Sequence, residues 1–170
     1  TDLNFSRLRE HTAAQGLTPA ILAYQGLQYQ YMNPEVMEEY QLTYLGEHLR
    51  ILSGYYGLLK PFDGVVPYRL EMQARAAVAG KKDLYAYWGD AIYRELTAGD
   101  PLILNLASAE YSAAVEPYLK PGDTYITCVF GEWINGRVIQ KGTPAKMARG
   151  EMVNYLAAVQ AAVPGEAKNF

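Results

Sequence analysis

Asn135-Gly136 stands between two stretches that alternate in side-chain character, residues 124–134 and 137–140. A two-residue Asn-Gly connection takes left-handed backbone at both positions and joins antiparallel neighbours, which makes this region a β-hairpin. Upstream the period changes. Residues 20–24, 49–53 and 102–106 are short apolar runs that read as buried strands, and helical periods lie between them. Residues 83–97 place Leu84, Tyr87, Trp88, Ala91, Ile92 and Leu96 on one helical face. Asn33-Pro34-Glu35 reads as a helix start, with a capping side chain, a proline for the first turn and a carboxylate there. That helix is expected to run to about residue 48. Shorter helices are predicted at 3–11 and 108–115. A last one opens at Thr143-Pro144 and carries Met152, Leu156, Val159 and Val163. Strands alternating with helices, then a hairpin and a helix, predict an α/β or α+β fold with a mixed sheet and flanking helices. Residues 1–163 read as one domain and 164–170 as a frayed tail.

Several function classes fall away on composition. One cysteine, Cys128, allows no intrachain disulfide. The two histidines, His11 and His48, do not stand at ligand spacing with it, so neither a zinc nor an iron–sulfur site is expected, and no cofactor. Apolar runs are too short to span a bilayer, and no leader is evident, which makes cytoplasmic the simplest localisation. The net charge of −3 and pI of about 5.4 are not those of a nucleic-acid binder overall. Any such role needs a local basic patch.

Such a patch exists near the end of the chain. From Arg137 onward five basic residues face two acidic ones, and Lys146 and Arg149 share a face of the last helix. This is either a phosphate site or a solvated helix face. Residues 54–67 have no clear period and contain Gly54, Gly57, Pro61, Gly64 and Pro67, and long irregular segments are often functional. Ser53 before Gly54 is either a turn serine or a nucleophile. The two nearby glycines would let backbone amides approach an anion. Pro67-Tyr68-Arg69-Leu70-Glu71-Met72 gathers a phenol, a guanidinium and a carboxylate, as a structural ion pair or as site groups. Asn105, Ser108, Glu110 and Tyr111 follow a strand end, where open α/β sheets place ligands. Fifteen tyrosines suit the half-buried walls of a groove as well as a core. Cys128 reads as a small buried hydrophobe or as a reactive thiol.

Taken in order, these segments resemble the YaaA peroxide-stress family. The resemblance rests on Ala20-Ile-Leu-Ala-Tyr-Gln-Gly26, Ile51-Leu-Ser-Gly-Tyr-Tyr-Gly-Leu-Leu-Lys-Pro-Phe-Asp63 and Pro67-Tyr-Arg-Leu-Glu-Met72. Tyr85-Ala-Tyr-Trp-Gly-Asp90, Asn105-Leu-Ala-Ser-Ala-Glu-Tyr111 and Lys146-Met-Ala-Arg-Gly150 complete it. It implies a role in surviving hydrogen peroxide by limiting free intracellular iron. It also implies association with double-stranded DNA through a positive cleft and a helix-hairpin-helix element. The family's opening Ser-Pro-Ala-Lys strand has no counterpart here, and residues 3–11 match only the end of the helix-hairpin-helix region. The resemblance thus implies an incomplete domain that lacks a strand and one cleft wall.

Three readings follow. In the first, Lys60, Arg69, Lys146 and Arg149 contact DNA phosphates while Tyr56 and Tyr68 stack on bases. In the second, the chain is an enzyme acting on a nucleotide, base or phosphorylated small molecule. There Glu71 or Glu110 is the acid or base, and Ser53, Tyr56, Tyr68, Asn105, Ser108 and Tyr111 line the pocket. In the third, the motifs only maintain the fold of an interaction module.

Overall fold

The computed structural model describes residues 17–99 and 102–170. The helix predicted at 3–11 lies outside them. The strands are β1 (Thr18–Pro19), β2 (Ile51–Ser53), β3 (Gly57–Leu59), β4 (Gly64–Val65), β5 (Leu102–Asn105), β6 (Thr124–Thr127), β7 (Glu132–Ile134) and β8 (Arg137–Ile139). The helices are α1 (Ala20–Ala23), α2 (Leu27–Met32), α3 (Glu39–His48), α4 (Leu84–Trp88), α5 (Ala91–Leu96), α6 (Ala109–Ser112) and α7 (Gly142–Val159). The α+β class stands. Among the described residues the strands pair two by two, as β1–β4, β2–β3, β5–β6 and β7–β8, instead of forming one mixed sheet.

The chain divides into two compact units. Of the described residues, one comprises those up to Ala23 and those within Arg50–Ile103 and Ala107–Tyr125, and the other Tyr24–Leu49, Leu104–Leu106 and Ile126–Phe170.

In the first unit the core is Met72, Leu84, Ile92, Tyr93, Ala114 and Val115. The helix predicted over 83–97 is two helices. The Asp83 carboxylate starts α4 by accepting from the Ala86 amide at 2.8 Å. Gly89, at φ 51°, ends it in a conformation that glycine tolerates without strain. The break lets Tyr93 turn inward, where its hydroxyl donates to Asp123 at 2.8 Å. The run 20–24 is a helical turn, not a strand. The amides of Ala20 and Ile21 are occupied by the carbonyls of Asp63 and Pro61, both at 2.9 Å. The segment 54–67 contains β3 and β4, which its lack of period had concealed.

In the second unit α2 lies against α7. Gly150 makes the approach possible, since a Cβ there would come within 2.7 Å of the Met32 amide nitrogen. Asn154 donates to the Met32 carbonyl at 2.9 Å and so satisfies the end of α2. Asn33, expected to open a helix, instead terminates α2 in the left-handed conformation, with φ 51°. A 3-10 turn, Pro34–Val36, follows, and α3 starts only at Glu39. Tyr44 donates to the Ala161 carbonyl at 2.9 Å and ties α3 to the end of α7. Residues 164–169 form a 3-10 helix, Pro164–Asn169, and the Phe170 ring meets Phe130 and Tyr155.

The Asn135-Gly136 hairpin forms as predicted, with φ 49° and 77° at the turn. Its first strand is shorter than 124–134. The stretch 124–127 pairs with β5, and the Cys128 amide continues that contact to the Asn105 carbonyl at 3.0 Å.

Replacing Gly150 with alanine should cost about 1–3 kcal/mol, because the added methyl meets backbone and not a side-chain tip. Urea unfolding reads this directly, and an unchanged midpoint would mean that α2 does not sit this close to α7.

Candidate functional site

The sequence-predicted site residues of the first unit meet around one turn. Ser53 ends β2 and is fully buried. Its Oγ accepts the amides of Tyr55 at 3.2 Å and Tyr56 at 2.9 Å. It also lies 2.5 Å from the Tyr68 hydroxyl. With both hydroxyl lone pairs engaged by amides, the serine proton is the one shared with Tyr68. Ser53 is therefore a turn serine with no lone pair left for nucleophilic attack. The two amides that an anion cradle would require are turned onto it.

The glycines beside it serve close packing. A Cβ on Gly54 would come within 2.8 Å of the Leu70 carbonyl oxygen. This close passage brings the segment Tyr68–Met72 against the turn. Gly57, at φ 76°, sits under the Trp88 indole, whose Nε1 donates to the Gly54 carbonyl at 3.1 Å. Tyr56 accepts the Val66 amide through its hydroxyl at 3.1 Å. The rings of Tyr55, Tyr56 and Tyr68 lie 4.8–5.6 Å apart, two of the three pairs edge-on. Tyr56 and Tyr68, expected as stacking platforms, thus pack on each other and on Tyr55.

Glu110 and Tyr111 come to the same region from α6. Glu110 accepts the Gln73 amide at 3.2 Å through its carboxylate, and its carbonyl accepts the Tyr85 hydroxyl at 2.8 Å. The Tyr111 hydroxyl is bonded by the Met72 amide. Burial, with the carboxylates of Glu110 and Glu71 and the Tyr68 phenol nearby, pushes that hydroxyl up to about 12. Ser53, Tyr56, Tyr68, Glu71, Glu110 and Tyr111 are therefore neighbours. Ser108 stands at the start of α6, its carbonyl accepting the amides of Tyr111 and Ser112. The group is rich in phenols and carboxylates, which suits proton transfer or the binding of hydrogen-bond donors better than phosphate. Of the two acid/base candidates, Glu71 is exposed and Glu110 half-buried and tethered. Lys60 and Arg69 belong to the same unit and are exposed.

Asn105, Lys146 and Arg149 belong to the other unit. Asn105 is buried and donates to the Thr127 hydroxyl at 3.3 Å. Lys146 is exposed on α7. Arg149 is half-buried, and its Nε has no hydrogen-bond partner and no exposed surface. Burial pulls its guanidinium below the usual arginine range. Burial likewise pushes the Cys128 thiol up, away from the reactive thiolate. Among the described residues no three His, Cys, Asp or Glu side chains gather as metal ligands. No described helix is long and apolar enough to cross a membrane.

Sequence reasoning did not single out Tyr55, Gln73 or Tyr85. Their contribution depends on backbone positions that only the folded turn brings together.

Residues 1–170 match the family described as "Peroxide stress protein YaaA". The chain is similar to a UPF0246 protein of Desulfitobacterium hafniense, 58% identical over 91% of this chain and 62% of the relative. A UPF0246 protein of Lachnoclostridium phytofermentans is 54% identical over 99% of this chain and 66% of its own length. One of Pediococcus pentosaceus is 53% identical over 99% and 67%. The chain spans about two thirds of the length of these relatives.

Ser53→Ala leaves two amides beside a buried position without their acceptor and should lower stability by about 1–3 kcal/mol in urea unfolding. Unchanged stability would free Ser53 for a chemical role. Alkaline titration gives a second check. Tyr111 titrates near 10 when unfolded and near 12 when folded. Its contribution is complete below about pH 10 and disappears as pH rises through about 12. Tyr111→Phe should flatten the loss of stability across that window, and an unaltered slope would contradict the assignment.

Proposed function

The chain belongs to the YaaA peroxide-stress family, and on that premise we propose that it is the part of a cytoplasmic peroxide-stress protein that associates with double-stranded DNA. In this reading the whole protein limits free intracellular iron, and DNA association is the component that these residues carry. The observation in its favour is the basic stretch around the start of α7, on a chain that is acidic overall. There Lys146 is exposed, and Arg149 follows three residues later with no ion pair among the described residues. Lys141 is partly neutralised by Glu132 at 2.7 Å, which leaves Lys146 and Arg149 as the stronger phosphate contacts. Lys60 and Arg69 are exposed cations of the other unit and add to the attraction.

A second reading is an enzyme acting on a nucleotide, base or phosphorylated small molecule. It is favoured by the proximity of Glu110, Glu71, Tyr68 and Tyr111. Glu110 would be the acid or base, because its carboxylate is held by the Gln73 amide. The phenols would orient a base edge. If this reading is correct, Glu110→Gln abolishes turnover or weakens ligand binding without altering DNA affinity. A variant indistinguishable from wild type in a nucleoside and nucleotide binding screen removes it.

DNA affinity measured across a salt series tests the first reading. Lys146→Ala/Arg149→Ala should bind more weakly, and the slope of log affinity against log salt should fall by about two. Equal slopes for wild type and variant would take the phosphate contact away from α7.

A further inference from the structure

Arg149 differs from the other basic residues of its segment. It is the eighth residue of α7 and lies within the helix's buried stripe, with Ala145 four residues before it and Met152, Val153 and Leu156 three, four and seven after. Its Nε is buried without an acceptor, the one buried side-chain nitrogen or oxygen in that state among the described residues. No ion pair among those residues balances its charge, and burial alone accounts for its lowered affinity for protons. An orphaned buried donor in a native fold calls for a missing partner. An unbalanced guanidinium calls for an anionic one.

We propose that Arg149 holds a phosphomonoester group. Building on the reading of α7 as a phosphate-binding element, this names the kind of phosphate. Guanidinium forks pair side-on with two oxygens of one anion, and the Nε–H is half of that fork. Turning this edge onto an oxyanion satisfies the orphaned donor and the charge together. A phosphomonoester carries about −1.5 to −2 charge near pH 7. That matches Arg149 and the exposed Lys146 one turn earlier better than a singly charged carboxylate or diester does. A terminal phosphate is also compact enough to reach a half-buried side chain, whereas duplex diesters lie along a convex rod. The source of the phosphate is a nucleotide or a phosphorylated DNA end.

Arg149→Lys keeps the charge and removes the Nε–H, so it isolates the contribution of that donor. In wild-type protein, titration with inorganic phosphate at constant ionic strength should shift the Arg149 Nε–H proton resonance saturably. In the variant, phosphate affinity should fall at least tenfold although the charge is kept. A nucleoside 5′-monophosphate competing with phosphate identifies a nucleotide source. Preference for a 5′-phosphorylated duplex over its unphosphorylated twin identifies a DNA end. The proposal is overturned if the resonance does not respond to phosphate, a readout that needs no variant. Equal phosphate affinity of variant and wild type overturns it as well. Absence of salt-dependent binding to any duplex would remove the DNA reading while leaving the phosphate result to stand or fall on its own.

Discussion

The hydroxyl of Ser53 holds together the part of the chain that carries most of its recognisable residues. One buried oxygen accepts two consecutive amides and shares a hydrogen bond with the Tyr68 hydroxyl. The turn it closes has no room for a larger residue at Gly54 or Gly57, because backbone presses on one and the Trp88 ring on the other. Tyr68 and the strand of chain after it are thereby held against the turn. Glu71 and Met72 are carried along, and Met72 in turn donates to Tyr111. A loss at Ser53 would propagate through these contacts before it touched any chemistry.

This explains why a motif dense in serine, tyrosine, arginine and glutamate need not be a phosphate site. Its amides and hydroxyls bond one another, and the carboxylates of Glu71 and Glu110 stand near Tyr111. Chemistry that uses such a group would involve a proton or a hydrogen-bond donor. On α7 in the other unit, Arg149 is half-buried, with its Nε lacking a hydrogen-bond partner and no ion pair among the described residues. Glu71 and Glu110 belong to one unit, and Lys146 and Arg149 to the other.

Much of the fold was legible. The Asn135-Gly136 turn admits one solution, and the long period of α7 admits one as well. The ordered motifs identified the family because several weak matches in sequence are jointly specific. What was not legible depended on backbone conformation. Residues 83–97 keep helical spacing across Gly89, so period alone could not show that the glycine turns left-handed. Asn33 carries the signal for opening a helix, but the same tolerance of left-handed backbone let it close α2. The run 20–24 is apolar and short, a pattern common to a buried strand and a buried helical turn. In the site, Ser53 and Tyr68 were legible as polar residues near a loop. That they satisfy each other was not, because it depends on a contact across fifteen residues. The orphaned state of Arg149 is likewise a property of packing, since Lys146 and Arg149 look equivalent in the sequence.

The central claim is that the serine-centred turn is structural and that phosphate recognition belongs to α7. Amide chemical-shift mapping with a short duplex DNA tests it most directly, because every backbone position reports at once. The account predicts shifts concentrated from Lys141 to Gly150, with the amides of Tyr55 and Tyr56 unmoved because Ser53 already holds them. Shifts centred on Tyr55, Tyr56 and Tyr68, with α7 silent, would contradict it.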